Sequence, residues 1–186
     1  LIGRTLGRMA VPAHGFIPPG LLGHEPSAAV RPRAGSSGPM KPVAAEIELT
    51  AAFNPVFFGG YADFARELSS TFRENGFLVR PVTKTIDEFL EAQDRATADL
   101  VVGRWAADYP DADTFVYQLH QQGGSSGHSC GTPAIDRLIE RGRVETAAAA
   151  RHAVYREIEE IIATEALLLP LFYEQSYRFA RPEIEG

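Results

Sequence analysis

From residue 45 the chain alternates between two hydrophobic periods. "AEIELTAAF" (45–53) is short, apolar and partly β-branched, and predicts a strand. "YADFARELSSTFRENG" (61–76) brings Phe64, Leu68 and Phe72 round at helical spacing. Gly76 falls just past its last turn, where a helix stops most easily in left-handed backbone. "FLVRPV" (77–82) returns to strand. "TIDEFLEAQDR" (85–95) predicts a helix, with Thr85 as N-cap and Glu88 three residues on to close a capping box. "ADLVVGRW" (98–105) is a third strand. Strand, helix, strand, helix, strand at this spacing predicts a βαβαβ unit with right-handed crossovers and a parallel sheet.

The pattern then turns helical. "DADTFVYQLH" (111–120) predicts a short helix, "QQGGSSGHSCGT" (121–132) a loop, and "PAIDRLIERG" (133–142) a helix ended by Gly142. "TAAAARHAVYREIEEIIATEA" (146–166) is the strongest helix, with Val154, Ile158, Ile161 and Ile162 facing inward. "LLLPLFYEQ" (167–175) and "SYRFARPEI" (176–184) close as two strand-like runs. Upstream, residues 1–10 predict a short helix with Leu1, Ile2, Leu6 and Met9 on one side. "VPAHGFIPPGLLGHEP" (11–26) carries four prolines and three glycines, which exclude regular structure. It is too apolar for a solvated linker and is expected to pack as an ordered loop. "RPRAGSSGPMKP" (31–42) is polar and rich in Gly, Ser and Pro, the composition of a flexible linker. The predicted organisation is a lead-in segment over 1–44 and a compact domain over 45–186. Both ends read as cut from something longer.

Composition narrows the classes. The 186 residues suit one medium domain, and 45% hydrophobic with 23% charged residues is ordinary for a globular protein with a core. A formal net charge of −6 argues against a non-specific nucleic-acid binder. No apolar run reaches the length of a membrane helix. The single cysteine, Cys130, excludes an internal disulfide and a cysteine metal cluster. The histidines show no metal-ligand spacing, and no cofactor is expected. "GGSSG" (123–127) lacks the Lys-Ser/Thr of a phosphate-binding loop, and Ser125 or Ser126 near His128 lacks the elbow of a hydrolase nucleophile.

The stretch that carries chemistry is "RWAADYPDADTF" (104–115), directly after the third strand. Open α/β sheets bind ligands at the carboxyl ends of their strands. Pro110 interrupts any calcium-loop pattern, and nothing supplies a nucleophile for a carboxylate pair. Asp111 and Asp113 are expected to cap and charge the start of the next helix. Asp108 and Trp105 lie before the proline, beyond the reach of that role. A carboxylate beside an indole suits an ammonium group, by charge pairing and by cation–π attraction. A strand end also offers backbone groups to an extended ligand. Together these describe a site for a peptide amino terminus.

"WAADYPDADTF", "TPAIDRLIERG" and "RHAVYREIEEIIATEALLLPLFYEQSYRFARPEIEG", in that order, resemble the C-terminal lobe of the bacterial extracellular solute-binding proteins of family 5. "PAHGFIPPGLLG" resembles the segment that family carries before this lobe. The resemblance covers most of the chain. It implies a type II periplasmic-binding-protein-like α/β lobe, a βαβαβ core with a mostly parallel mixed sheet flanked by helices. It further implies a non-enzymatic receptor that captures peptides or related solutes between two lobes for an ABC importer. Its implied partners are an N-terminal lobe and a membrane permease, and its implied location is periplasmic or extracellular. By residue match, Asp108 pairs with the ligand's α-amino group, Trp105 borders the first side-chain pocket, and Arg104, Trp105 and Ala106 offer backbone bonds. The family's oligopeptide binders have an arginine three residues before that Trp; here Val102 stands there. Arg104 is predicted on the other strand face. A rival reading keeps the fold in a cytoplasmic solute-sensing regulator, and a more distant one is a hydrolase using the acidic stretch.

Overall fold

A computed structural model describes residues 1–24, 47–124, 127–177, 179–181 and 183, with His128 and Ser129 described by backbone alone. The expected linker over 31–42 and the boundary at 44/45 lie outside the described residues. So do Ser125 and Ser126 and the side chain of His128. The chain opens with α1 (Ile2–Thr5), shorter than the periodicity predicts. Gly7, at φ +56°, breaks it into a 3-10 turn over Gly7–Met9 that leads to β1 (Ala10–Pro12).

The predicted βαβαβ unit follows as β2 (Ile47–Phe53), α2 (Ala62–Glu74), β3 (Phe77–Pro81), α3 (Ile86–Asp94) and β4 (Leu100–Val102). Both pairings are parallel, with Ile47 opposite Phe77 and Phe53 opposite Val102, in the order β3-β2-β4. Gly76 stops α2 at φ +85°, and the Thr85–Glu88 capping box opens α3. Strand alternation decides what each helix covers. Ala51 and Phe53 face one way and pack with Phe57, Phe64 and Leu68 under α2. Ala52 faces the other way and meets Phe89 and Ala92 of α3.

The second half is a helical layer of α4 (Asp113–His120), α5 (Gly127–Cys130), α6 (Pro133–Val144) and α7 (Ala148–Thr164). Its core joins Phe115 and Val116 of α4, Ile135 and Ile139 of α6, and Val154, Tyr155, Ile158 and Ile162 of α7. Each fully buried Ile contributes about 1.5–3 kcal/mol of burial. Gly142 does not end α6 as its position predicts. It lies inside the helix and against α7, where a Cβ would stand 3.1 Å from Cε1 of Tyr155 and 3.3 Å from Cγ1 of Val154. Its job is close helix packing.

Composition predicts no regular structure over 11–26, yet Val11 and Pro12 belong to β1, because Phe172–Glu174 supplies a partner strand from the far end of the chain. The rest of the described segment, 13–24, packs as an ordered loop, as its composition predicts. Phe16 and Ile17 enter the helical core. Ile17 donates its N–H to buried Glu159 at 2.9 Å, and the Tyr173 hydroxyl donates to the Gly15 carbonyl at 2.6 Å. Among the described residues at the end of the chain only β5 (Phe172–Glu174) forms a strand, antiparallel to β1 with Ala10 opposite Glu174. Leu167 and Leu168 pack sideways onto the helical core instead of extending it. The described residues of the run 176–184 are not strand, and Arg178, Pro182 and Ile184 lie outside the described residues. Among the described residues the antiparallel element is therefore a separate two-stranded ribbon beside a parallel three-stranded sheet.

Candidate functional site

Because β2, β3 and β4 run parallel, their carboxyl ends share one rim. β4 is one of the two edge strands of this sheet among the described residues, β3 being the other. Past Val102 the chain leaves the ladder, and the backbone groups of Arg104, Trp105 and Ala106 find no partner among the described residues. Arg104 and Trp105 depart in opposite directions, as alternation along an extended segment requires. Trp105 packs onto the helical core, whereas Arg104 reaches β5.

Trp105 and Asp108 line one hollow of about 470 Å³ with Tyr117, Gln118, Gln121, Gly123 and Gly124. The indole N–H of Trp105 is buried without an acceptor. An orphaned buried donor costs roughly 1–3 kcal/mol, which a ligand acceptor would recover. Asp108 is exposed, and only its backbone is tied, with its N–H 3.4 Å from Oγ1 of Thr114. Its carboxylate has no partner among the described residues.

The other two carboxylates are committed within the fold. Asp111 takes a bidentate bond from Arg151, whose Nη1 and Nη2 both lie at 2.7 Å. Arg151 also holds the Gly142 carbonyl and the Tyr155 hydroxyl. The Arg151 hydrogen bonds hold the Asp111 carboxyl below its ordinary range, and burial pushes the Tyr155 hydroxyl up to about 12. Asp113 accepts from the Tyr109 hydroxyl at 2.9 Å and lies 3.6 Å from Arg143. Arg143 in turn covers the Tyr117 ring at 3.9 Å. The expected capping role is thus only partly met. The N-cap of α4 is Ala112, without a side-chain bond, and Asp111 accepts the Asp113 N–H at 2.8 Å.

Arg104 is engaged as well. Its Nε and Nη2 lie 2.7 Å from Oε2 of Glu174. Ala106 is exposed and offers only backbone. The sequence reading brought Trp105 and Asp108 together but missed the far wall of the hollow. Tyr117 and Gln118 come from α4, and Gln121, Gly123 and Gly124 from the turn after it. The signal was "QLHQQGG", two amides before paired glycines. A Cβ on Gly124 would stand 2.6 Å from the Gln118 carbonyl oxygen, so only glycine lets this turn fold back on the helix end.

No family model matches the chain. The periplasmic murein peptide-binding protein MppA of Escherichia coli K12 is 23% identical over 82% of the chain and 28% of that relative. The periplasmic oligopeptide-binding protein OppA of the same organism is 24% identical over 63% of the chain and 22% of its own length. Among solved structures, a dipeptide-binding protein from Pseudoalteromonas in complex with Met-Leu superposes with a TM-score of 0.74 at 18% identity, over 93% of this chain and 36% of that one. The chain carries the periplasmic binding-protein fold. The resemblance read from the sequence, to the extracellular solute-binding proteins of family 5, is borne out. The chain spans about a third or less of the length of these relatives.

Proposed function

We propose that this unit is one of two lobes that close around a peptide or related small amine, in the solute-binding component of an ABC-type importer. One observation carries the reading. At a single strand end the structure combines a free carboxylate, Asp108, an indole with an orphaned N–H, Trp105, and the unpaired backbone of 104–106. The carboxylate suits the ligand's ammonium group, the indole bounds its first side chain, and the backbone pairs with its main chain. Closure of a second lobe would remove these groups from water and strengthen their pairing. The relatives above are named periplasmic binding proteins, which favours import from the periplasm through a membrane permease over cytoplasmic sensing. Binding, not catalysis, is what the site is built for.

Calorimetry on the complete protein with Ala-Gln-Ala and its N-acetylated form tests this. Asp108→Asn should weaken the free peptide by roughly 2–5 kcal/mol, the cost of leaving a buried charge unpaired. The parent should reject the acetylated peptide to a similar degree. Unchanged affinity in Asp108→Asn would place the ammonium site elsewhere.

A further inference from the structure

The mouth has a second group of side chains, on the side away from Trp105. Arg104 meets Glu174 of β5 there, and Tyr61, the residue before α2, completes a trio beside the same carboxylate. Tyr61 is fixed between two rings, its centroid 5.8 Å from that of Phe57 and 5.6 Å from that of Phe172. The side chains of Arg104 and Glu174 stay 48% and 32% exposed, so the trio is reachable from solvent.

A guanidinium beside an unpaired strand end is a ready receptor for a ligand carboxylate, because its planar fork matches carboxylate geometry. Here an internal carboxylate already holds it. We infer that Glu174 sets the charge selectivity of the mouth: by holding Arg104 it converts a carboxylate-accepting position into a neutral polar one that refuses acidic groups. The inference rests on the peptide reading above. In an extended ligand, successive side chains point to opposite faces. If the first lies in the Trp105 hollow, the second lies against Arg104 and Glu174. An uncharged second side chain finds donors and acceptors there. An acidic one meets Glu174 as a like charge, and such juxtaposition discriminates between partners.

The test compares Ala-Gln-Ala with the near-isosteric Ala-Glu-Ala by calorimetry on the complete protein. The parent is expected to prefer the glutamine peptide by about tenfold. Glu174→Gln frees Arg104 and should shift the affinity ratio by about tenfold toward Ala-Glu-Ala. Adding Arg104→Gln should remove that gain. An unchanged ratio with both peptides bound overturns the role of Glu174 and leaves the peptide reading standing. An equal loss for both peptides does the same, by showing Glu174 to be only a structural tie. A parent that binds neither peptide overturns the peptide reading, and this inference with it.

Discussion

His120 ends α4 with its ring wholly buried, edge-on to Phe16 at a centroid distance of 5.0 Å. Neither ring nitrogen has a partner among the described residues. Two effects compete there. The negative end of the helix dipole favours the imidazolium by at most about 2 kcal/mol. Burial opposes it more strongly and lowers the pKa to about 4 from an ordinary value of 6.5. The folded state therefore binds this proton less readily than the unfolded chain, so stability is full above pH 6.5 and falls as pH drops towards 4. The loss amounts to about 3 kcal/mol across that window, at up to about 1.4 kcal/mol per pH unit. Denaturant titrations at several pH values should show this slope in the parent and a flatter one in His120→Leu. Identical slopes would mean the ring is solvated or bonded. At this scale the sequence was legible where a residue's role depends on its own stretch: Asp108 and Trp105 stood out by chemistry and position. Arg104 was legible for its backbone alone; the tie of its side chain to Glu174, 70 positions away, was not.

Among the elements, the same division holds. The α3 capping box and the end of α2 at Gly76 are local devices, and the sequence shows both. Gly142 read as a helix end because Tyr155, which demands its smallness, belongs to another helix. Asp111 read as a cap for a similar reason, since Arg151 arrives from α7. That pair ties the entry of α4 to α7, and through the Gly142 carbonyl to α6. Asp111→Asn should therefore lower stability while leaving the ligand hollow intact. Asp111 is a third exposed, so solvent screening discounts the loss to roughly 1–2 kcal/mol, or about 2–8 °C in Tm for a chain of this size. Differential scanning calorimetry of the variant in low and high salt reads this directly. A Tm equal to the parent's would show that the bidentate geometry contributes nothing.

For the whole molecule, the decisive feature is what surrounds the strand ends. Phe58 after β2, Val82 after β3 and Ile86 at the start of α3 are all exposed at the rim where the strands end. Asp108 is exposed there too. The sequence told that the sheet is parallel, and hence where its rim lies, but exposure depends on which surfaces meet and is not a local property. An open rim bounds a ligand on one side only. A peptide bound to it would keep much of its surface in water, and its ammonium group would face Asp108 at high dielectric, where an ion pair adds little. The association cost in translational and rotational freedom would remain in full. Residues 1–186 alone should therefore bind Ala-Gln-Ala with a Kd above about 1 mM, an affinity of only about 4 kcal/mol. The complete protein should bind orders of magnitude more tightly. Trp105 is the single tryptophan of the chain and lines the hollow, so its fluorescence reports occupancy without a label. A micromolar titration curve from these residues alone would show that this unit is a self-sufficient receptor, and that closure by a second lobe is not what makes the site work.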